Sequence, residues 1–225
     1  MSAPYILYGG GITRAMGVQM VLEELRLPYQ LKAVDIRKGE HREAAFLAVN
    51  PAGYVPALVT PEGETLHETA ALMLWLADKH GATELAPATD DPLRGQFLKW
   101  LFYFTNDIQP PSKTVFYPDR YTTASNSADE ILKLANAQAL ERWAVVEKHL
   151  ADHGPYHLGE RFSLLDLHVA MWAAYGLQSV DEILTAMPAV RRCYDLVAKR
   201  PLSGPLLNEF QREIKATTTR PLQAS

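Results

Sequence analysis

The spacing of apolar residues in the first 80 positions changes repeatedly between the two-residue repeat of a β-strand and the 3.6-residue repeat of an α-helix. Glycines at 9–11 and prolines at 28 and 56 interrupt these runs. The predicted elements, in order, are a strand over 5–8, a helix between 14 and 28, a strand over 30–36 with Leu31, Val34 and Ile36 as candidates for burial, a strand over 56–59 that returns at 65–66, and a helix over 70–80. This order is typical of a mixed sheet with helices on its faces.

The chain beyond position 92 shows helical periodicity only. A stretch rich in Ala, Thr, Asp and Pro over 82–91 is typical of a linker. Residues 217–225 have few large apolar side chains, and we expect them to fray. Four helices are predicted, over 93–108 with a stop at Pro110–Pro111, over 124–153, over 163–177 and over 189–200. We therefore expect an α/β domain over 1–81, a linker over 82–91 and an all-helical domain over 92–225.

Composition excludes several classes of function. The 225 residues include 22 basic and 26 acidic side chains, and the formal charge of −4 gives no overall positive field for nucleic acid. No apolar run approaches the roughly 18 residues that cross a bilayer. The single cysteine, Cys193, excludes an intramolecular disulfide and a CxxC motif, and the seven histidines form no HExxH metal motif. We expect a soluble, cytoplasmic protein that binds no nucleic acid, membrane or metal.

Thr13 stands where the first strand passes into the first helix. Its hydroxyl can accept a hydrogen bond from a backbone N–H as a helix cap, or it can donate to an anion held over the positive end of the helix. The residues alone leave both interpretations open, with the cap favoured. The preceding glycines do not form a dinucleotide-binding fingerprint, because its third glycine would fall at Arg14.

Two short segments have the chemistry of a peptide-binding groove. A cis bond between Val55 and Pro56 would turn the Val55 backbone outward and leave its N–H and C=O free for an extended ligand; the alternative is a turn before an edge strand. Glu68 and Thr69 begin a helix, where they could bind an ammonium and a carboxylate, or act simply as capping residues. A third motif at 162–167 predicts a capping box between Ser163 and Asp166.

Motifs along the chain resemble those of one enzyme family. They are LEEL at 22–25, PY at 28–29, NPAGYVPAL at 50–58, ETLHETAA at 64–71 and LGERFS at 158–163. The chain is similar to cytosolic glutathione S-transferases of bacterial type over about 5–201. The resemblance implies a thioredoxin-like domain that binds glutathione, a helical domain that binds a hydrophobic electrophile, and a homodimer. Glutathione would be a cosubstrate, with no tightly bound cofactor.

The resemblance also implies roles for single residues. The Val55 backbone would pair with the cysteinyl part of glutathione, and Lys38 would contact its glycyl end. Thr13 stands where bacterial relatives carry serine or cysteine facing the sulfur. Tyr8 is the competing donor, and Arg14 would add positive potential if it points into the site. The implied glutathione-binding residues are Lys38, Tyr54, Val55, Pro56, Glu68 and Thr69.

Several positions depart from the family pattern. Threonine at 13 cannot form the mixed disulfide that cysteine forms there, and Cys193 lies far along the chain. Relatives place asparagine and histidine near the ligand, where this chain has Phe102 and Gln109. An aromatic electrophile pocket follows from these changes, although aromatic clusters are more often part of a core. Its candidate residues are Phe102, Tyr103, Asn106, Tyr117, Arg120 and Tyr121.

Two functions compete at this point. The leading hypothesis is conjugation, in which the glutathione thiolate attacks an electrophilic carbon. The alternative is a non-catalytic binding or scaffold protein that keeps the fold and acts through a protein partner. The changes at 13, 102 and 109 favour this alternative, and a turnover assay separates the two.

Overall fold

The structure is a computed structural model that describes residues 3–124, 127–176 and 182–218. Its first part combines four strands with three helices and a short 3-10 turn at Glu40–Arg42. The elements are β1 (Tyr5–Gly9), α1 (Ala15–Glu24), β2 (Tyr29–Ala33), α2 (Ala44–Leu47), β3 (Ala57–Val59), β4 (Thr65–His67) and α3 (Thr69–Lys79). The predicted order, β-α-β, then a loop or short helix, then β-β-α, is therefore confirmed, with α2 as the short helix.

The four strands form one mixed sheet with the order β2-β1-β3-β4. β1 and β2 are parallel because α1 carries the chain back across the sheet between them. β3 is antiparallel to both β1 and β4. The central strands are consequently β1 and β3, and their ends define where loops from distant parts of the chain meet.

Leu31 corrects one burial prediction. It was expected inside the sheet, but its side chain is 44% exposed. β2 is an edge strand with β1 as its one neighbour, and four of its five residues are exposed. Val34, just after the strand, is buried as predicted, and Ile36 is partly buried.

The second part of the described chain is helical. Its helices are α4 (Arg94–Tyr103), α5 (Gln109–Phe116), α6 (Ala128–His153), α7 (Leu164–Tyr175), α8 (Glu182–Ala186), α9 (Pro188–Ala198) and α10 (Gly204–Thr218). Every residue of α7 is buried, and this helix packs against α9, α10, α1 and α4. The α7 helix is therefore the centre of the core. The predicted capping box holds it at its start, where the Ser163 N–H donates to Asp166 Oδ2 at 2.8 Å and the Ser163 Oγ accepts from the Leu165 N–H at 3.3 Å.

Pro110 and Pro111 do not stop the helical path, contrary to the prediction. A π-helical turn at Phe104–Ile108 follows α4, and α5 continues directly with both prolines in its first turn. Proline is tolerated there because the N–H groups at a helix start have no partner within the helix. The segment therefore changes register without leaving the helical conformation.

The C-terminal helix α10 was not predicted. Leu207, Phe210 and Ile214 are buried on one face of it, at helical spacing, and pack toward α7 and α1. The expected frayed tail began at Thr217, but the helix continues to Thr218, and 219–225 lie outside the described residues. The predicted end of the third helix at Leu177 also lies outside them. No helix in the described ranges has the length and apolar content needed to cross a membrane.

Candidate active site

The register of the sheet brings three chain segments to one edge. Ala57, the first residue of β3, pairs with Tyr8 near the end of β1 and with His67 at the end of β4. Because both pairings are antiparallel, the residues after β1, before β3 and after β4 all lie at the same edge. The segments that sequence analysis singled out separately therefore meet: the loop after β1, Val55–Pro56 and Glu68–Thr69.

Val55 presents unpaired peptide groups at this edge. The Val55–Pro56 peptide bond is cis. Within the described part of the chain, no hydrogen bond forms to the N–H or the C=O of Val55. Asn50 stabilises the preceding turn, because its Nδ2 donates to the Tyr54 carbonyl at 2.7 Å and its Oδ1 accepts from the Ala52 N–H at 3.1 Å. The unpaired N–H and C=O groups of Val55 are thus held in place by a fixed loop.

Glu68 and Thr69 form the start of α3 beside Val55. Glu68 is the N-cap residue and has a φ of +75°, a backbone conformation that non-glycine residues adopt at a cost of order 1–3 kcal/mol and that clusters at functional sites. The Thr69 side chain is buried, and its Oγ1 has no hydrogen-bond partner among the residues that the structure describes. A buried hydroxyl without a partner is costly, so a ligand atom at this point would be stabilising. The first N–H groups of α3 add an anion-binding helix terminus.

A small cavity lies between these segments. The nine described residues that line it come from the start of α1, the loop before β3, the end of β4 and the start of α3. They are Arg14, Asn50, Ala52, Tyr54, Val55, Pro56, His67, Glu68 and Thr69. Five of the predicted glutathione-binding residues, all except Lys38, line this one cavity, together with Arg14.

Thr13 lies next to Arg14 but does not line the cavity itself. Its side chain is 6% exposed, and its Oγ1 accepts a long hydrogen bond of 3.4 Å from the Ala15 N–H, as in the capping interpretation. This bond uses the oxygen only as an acceptor. Among residues the structure describes, no acceptor takes the Thr13 hydroxyl proton, so the proton is free for a second partner.

Tyr8 and Lys38 lie away from the cavity. The Tyr8 hydroxyl accepts from Lys32 Nζ at 3.3 Å, and its ring packs against Phe46 on the side of the sheet covered by α2. Lys38 is exposed and pairs with Asp35 at 3.4 Å. Asp35 also accepts hydrogen bonds from the N–H groups of Arg37 and Lys38 and so stabilises a turn in this loop. The turn directs Lys38 back along its own loop.

Sequence analysis named Arg120 but missed two other cations around Tyr54, Arg42 and Lys113. The Tyr54 side chain is 43% exposed, with the Arg42 guanidinium 5.1 Å and the Lys113 ammonium 5.0 Å from its ring centroid. A hydrogen bond from Arg42 lowers the pKa of Tyr54, and the charges of Lys113 and Arg120 act in the same direction. The three cations come from three separate segments, so no local motif brought Arg42 and Lys113 together with Arg120.

The predicted electrophile residues divide into two groups. Phe102 is 58% exposed, Asn106 is exposed, and the Tyr103 hydroxyl donates to the Arg142 carbonyl of α6 at 2.9 Å, so this group does not line the cavity. Phe102 and Tyr103 end α4, and Asn106 lies in the π-helical turn that follows it. Tyr117, Arg120 and Tyr121 belong to a 3-10 helix at Pro118–Tyr121 with its N-cap at Tyr117, and they do not line the cavity either. The Arg120 guanidinium stacks 4.0 Å from the Tyr117 ring centroid, and Tyr121 is 49% exposed.

Tyr175 at the end of α7 is an aromatic residue that the sequence did not point to. Its ring contacts Phe116 at a centroid distance of 5.8 Å. Burial raises the pKa of Tyr175, while the charge of Arg14 lowers it and Tyr117 raises it. Tyr175 therefore senses the charge of the cavity residue Arg14, and its ring packs against Phe116 at the end of α5.

Cys193 does not take part in this site. It is fully buried in α9, and burial raises the pKa of its thiol well above the usual range, with Asp166 acting in the same direction. With His157 and Asp166 it forms a cluster of potential metal ligands, the one such group found among the described residues. Asp166 Oδ1 already accepts from the His157 N–H at 2.9 Å and the Cys193 thiol at 3.7 Å, which makes the cluster part of the α7 cap.

Comparison with known proteins identifies the family. A family model described as "Glutathione S-transferase, N-terminal domain" matches residues 14–79. Glutathione S-transferase 1 of Dianthus caryophyllus is 32% identical over 187 residues, which cover 82% of each chain. The chain belongs to the glutathione S-transferase family. Glutathione S-transferase 3 of Zea mays is 29% identical and matches 99% of both chains.

Solved structures agree with this assignment. A glutathione transferase homologue from Sulfitobacter, crystallised with bound glutathione, is 25% identical, with a TM-score of 0.82 over 93% of this chain and 98% of that one. The fold is the predicted one, a thioredoxin-like N-terminal domain followed by a helical domain. Members of the glutathione S-transferase family similar to this chain differ in activity. A disulfide-bond oxidoreductase of Escherichia coli and a maleylacetoacetate isomerase of Pseudomonas aeruginosa are both 27% identical, over 86% and 84% of this chain.

Proposed function

We propose that the protein conjugates the thiolate of glutathione to an electrophilic carbon. Residues 1–81 would bind glutathione as a cosubstrate, residues 92–225 would supply the electrophile pocket, and 82–91 would link them. Two chains would form the active homodimer. The buried, unpartnered hydroxyl of Thr69 beside the free peptide groups of Val55 carries this proposal.

Both charged groups of the γ-glutamyl part of glutathione have a complementary group at the cavity. The exposed Glu68 carboxylate would take the γ-glutamyl ammonium, and the Thr69 hydroxyl with the first N–H groups of α3 would take the neighbouring carboxylate. The Val55 N–H and C=O would pair with the cysteinyl peptide group. This pairing would direct the sulfur toward the start of α1, where Thr13 and Arg14 lie.

A hydroxyl and a helix terminus are sufficient to ionise the thiol. A thiol with a pKa of about 8.5 is only about 3% thiolate at pH 7, and lowering the pKa to about 6.5 requires about 2.7 kcal/mol of preference for the anion. One hydrogen bond to a charged group contributes about 1.5–3 kcal/mol. The start of α1 adds about 0.3–1 kcal/mol. The free proton of Thr13 and the helix end therefore account for the shift without a general base.

The chemical step then follows from the thiolate. Its lone pair forms the new carbon–sulfur bond, and the leaving group departs with the electron pair of the broken bond. For an aryl chloride, the products are the thioether and chloride, and the thiol proton has already passed to solvent. Chemistry through a protein thiol is disfavoured, because position 13 carries no thiol and the thiol of Cys193 is buried.

Binding tests the glutathione site first. We expect Thr69→Val to weaken glutathione binding, measured by titration calorimetry, by about 10-fold or more, because one hydrogen bond to a carboxylate is lost. Thr69→Ser keeps the hydroxyl and is expected to bind within a few-fold of the wild type. Equal affinity of Thr69→Val and Thr69→Ser would place glutathione elsewhere.

Turnover with an activated aryl chloride tests the catalytic part. We expect Thr13→Val to lower the turnover rate at pH 7 by about 10- to 100-fold, and we expect this rate to recover at high pH, where the thiol ionises unaided. The rates of Thr13→Ser and Tyr8→Phe are expected to stay close to that of the wild type. Loss of activity in Tyr8→Phe, but not in Thr13→Val, would show that the Tyr8 hydroxyl stabilises the thiolate and that Thr13 does not. Glutathione binding without any rate above background would instead support the scaffold alternative.

A further inference from the structure

Four cations lie at or near the cavity: Arg14 lines it, Arg42 and Lys113 lie over the ring of its lining residue Tyr54, and Arg120 lies over the Tyr117 ring. We call Arg42, Lys113 and Arg120 the cation cluster. In the described ranges, none of the ion pairs involves Arg14, Arg42, Lys113 or Arg120. The protein as a whole carries a formal charge of −4, with acidic residues in excess. A local surplus of unpaired cations in an acidic protein indicates an anionic ligand.

The pKa values of two side chains near these cations, Tyr54 and His41, reflect the local charge. The charged groups that lower the pKa of Tyr54 are Arg42, Lys113 and Arg120. Burial lowers the pKa of His41, and Arg42 and Arg120 act in the same direction. The leading charge contributions to both groups come from cations. The contacts of Arg42 and Lys113 with the Tyr54 ring agree with this positive environment.

Glutathione accounts for only part of this charge. Its γ-glutamyl carboxylate would bind at the start of α3, and its glycyl carboxylate would neutralise one cation on the β-sheet side, where Arg42 lies against the Tyr54 ring. Lys113 on α5 and Arg120 in the 3-10 turn would still lack a partner. Both belong to the helical part of the chain, which would hold the second substrate.

We propose that Lys113 and Arg120 form a carboxylate-binding site near the cavity, so that the electrophile is an aromatic or otherwise planar acid. This inference rests on the proposed conjugation and narrows its substrate class. Lys113 lies 5.0 Å from the ring centroid of Tyr54, and Arg120 lies 4.0 Å from that of Tyr117. These two rings would stack on the planar part of such a molecule. The guanidinium of Arg120 matches a carboxylate in shape and can donate two hydrogen bonds.

Two glutathione conjugates that differ in one charge test the site without requiring turnover. The probes are S-(4-carboxy-2,6-dinitrophenyl)glutathione and its uncharged carboxamide, whose glutathione parts are identical. We expect the wild type to bind the carboxylate conjugate at least about tenfold more tightly at low ionic strength, with a preference that declines as salt is added. Lys113→Gln and Arg120→Gln are each expected to reduce the preference to within about threefold.

Lys99→Gln is the matched control. Lys99 also lies over an aromatic ring, with its Nζ 4.6 Å from the centroid of Trp100, but Trp100, unlike Tyr54, does not line the cavity. We expect this variant to keep the wild-type preference. Equal binding of the two conjugates by the wild type would overturn the proposal. An equal loss of preference in Lys99→Gln would overturn it too, because overall charge would then explain the effect.

Kinetics separate this inference from the proposed function. The substrates are 4-chloro-3,5-dinitrobenzoate and its amide, each rate being divided by the uncatalysed rate. Turnover of both with equal kcat/KM would leave conjugation standing and overturn the carboxylate site. A carboxylate preference in binding with no turnover would uphold the site and overturn conjugation. If neither conjugate nor glutathione binds, both proposals are wrong.

Discussion

Glu24 at the end of α1 and Arg200 after α9 form a two-point ion pair across the two parts of the chain. Arg200 Nη2 lies 2.7 Å from Glu24 Oε2, and Arg200 Nε donates to Oε1 at 2.9 Å. The Ser203 hydroxyl donates to the same Oε1 at 2.6 Å. Burial opposes the charge of Glu24, but the hydrogen bonds from Arg200 and Ser203 hold its pKa below the usual range. This contact joins the thioredoxin-like part to the helical part.

Removing one partner of this pair is predicted to destabilise the whole protein. We expect Arg200→Gln to lower the free energy of unfolding by about 1.5–3 kcal/mol at pH 7, because the Glu24 side chain, only 5% exposed, loses its charged donor. Urea unfolding followed by circular dichroism measures this change. Since the folded pKa of Glu24 is depressed, the pair stabilises above the unfolded pKa and its contribution is lost as pH falls through the folded pKa.

An exposed pair of the same kind provides the control. Arg191 and Asp195 lie four residues apart on α9, with their side chains 50% and 42% exposed and an Nε–Oδ1 distance of 2.8 Å. We expect Arg191→Gln to change the stability by less than about 1 kcal/mol. If both variants lose the same stability, the Glu24–Arg200 contact has no special role.

Local signals in the sequence were sufficient for much of the fold. The Ser163–Asp166 capping box and the turn into β4 are encoded within a few residues, and the structure contains both. The failures have tertiary causes. Leu31 is exposed because β2 has one neighbour, a fact that depends on strand order and not on the strand's own pattern. The missed helix α10 did carry a signal, the spacing of Leu207, Phe210 and Ile214.

The candidate site divides in the same way. Val55, Glu68 and Thr69 could be predicted because each stands at an element boundary with a recognisable motif, and antiparallel register then brings them together. Lys113 could not be predicted, because its place beside Tyr54 depends on the π-helical turn after α4. Helical spacing counted through that turn assigns residues to the wrong face.

His168 predicts a second pH dependence of stability. Burial in α7 lowers the pKa of this imidazole to about 3, with smaller contributions from Arg14 and His157, and its Nε2 accepts from Trp172 Nε1 at 3.1 Å. Between about pH 6.5 and 3 the unfolded chain therefore binds a proton that the folded chain does not. Stability is expected to fall by about 1.4 kcal/mol per pH unit from this group as the pH decreases. His168→Gln removes the titrating imidazole, so the unfolding free energy of this variant should depend less steeply on pH than that of the wild type. Parallel curves for the two proteins would contradict the prediction.

Gly53 predicts a coupling between backbone conformation and the cation cluster. Its φ is +65°, and a Cβ at this position would lie 2.7 Å from Arg42 Nη1 and 3.2 Å from the His41 carbonyl oxygen. We expect Gly53→Ala to cost about 1–2 kcal/mol from the left-handed backbone alone and to displace Arg42 from the Tyr54 ring. Unfolding and glutathione titration measure the two effects. Gly95→Ala is the control, since Gly95 is exposed in α4 with open space around its Cβ position, and it is expected to stabilise by about 0.5–1 kcal/mol. If Gly53→Ala behaves like Gly95→Ala, the loop adapts freely and Arg42 is not held by it.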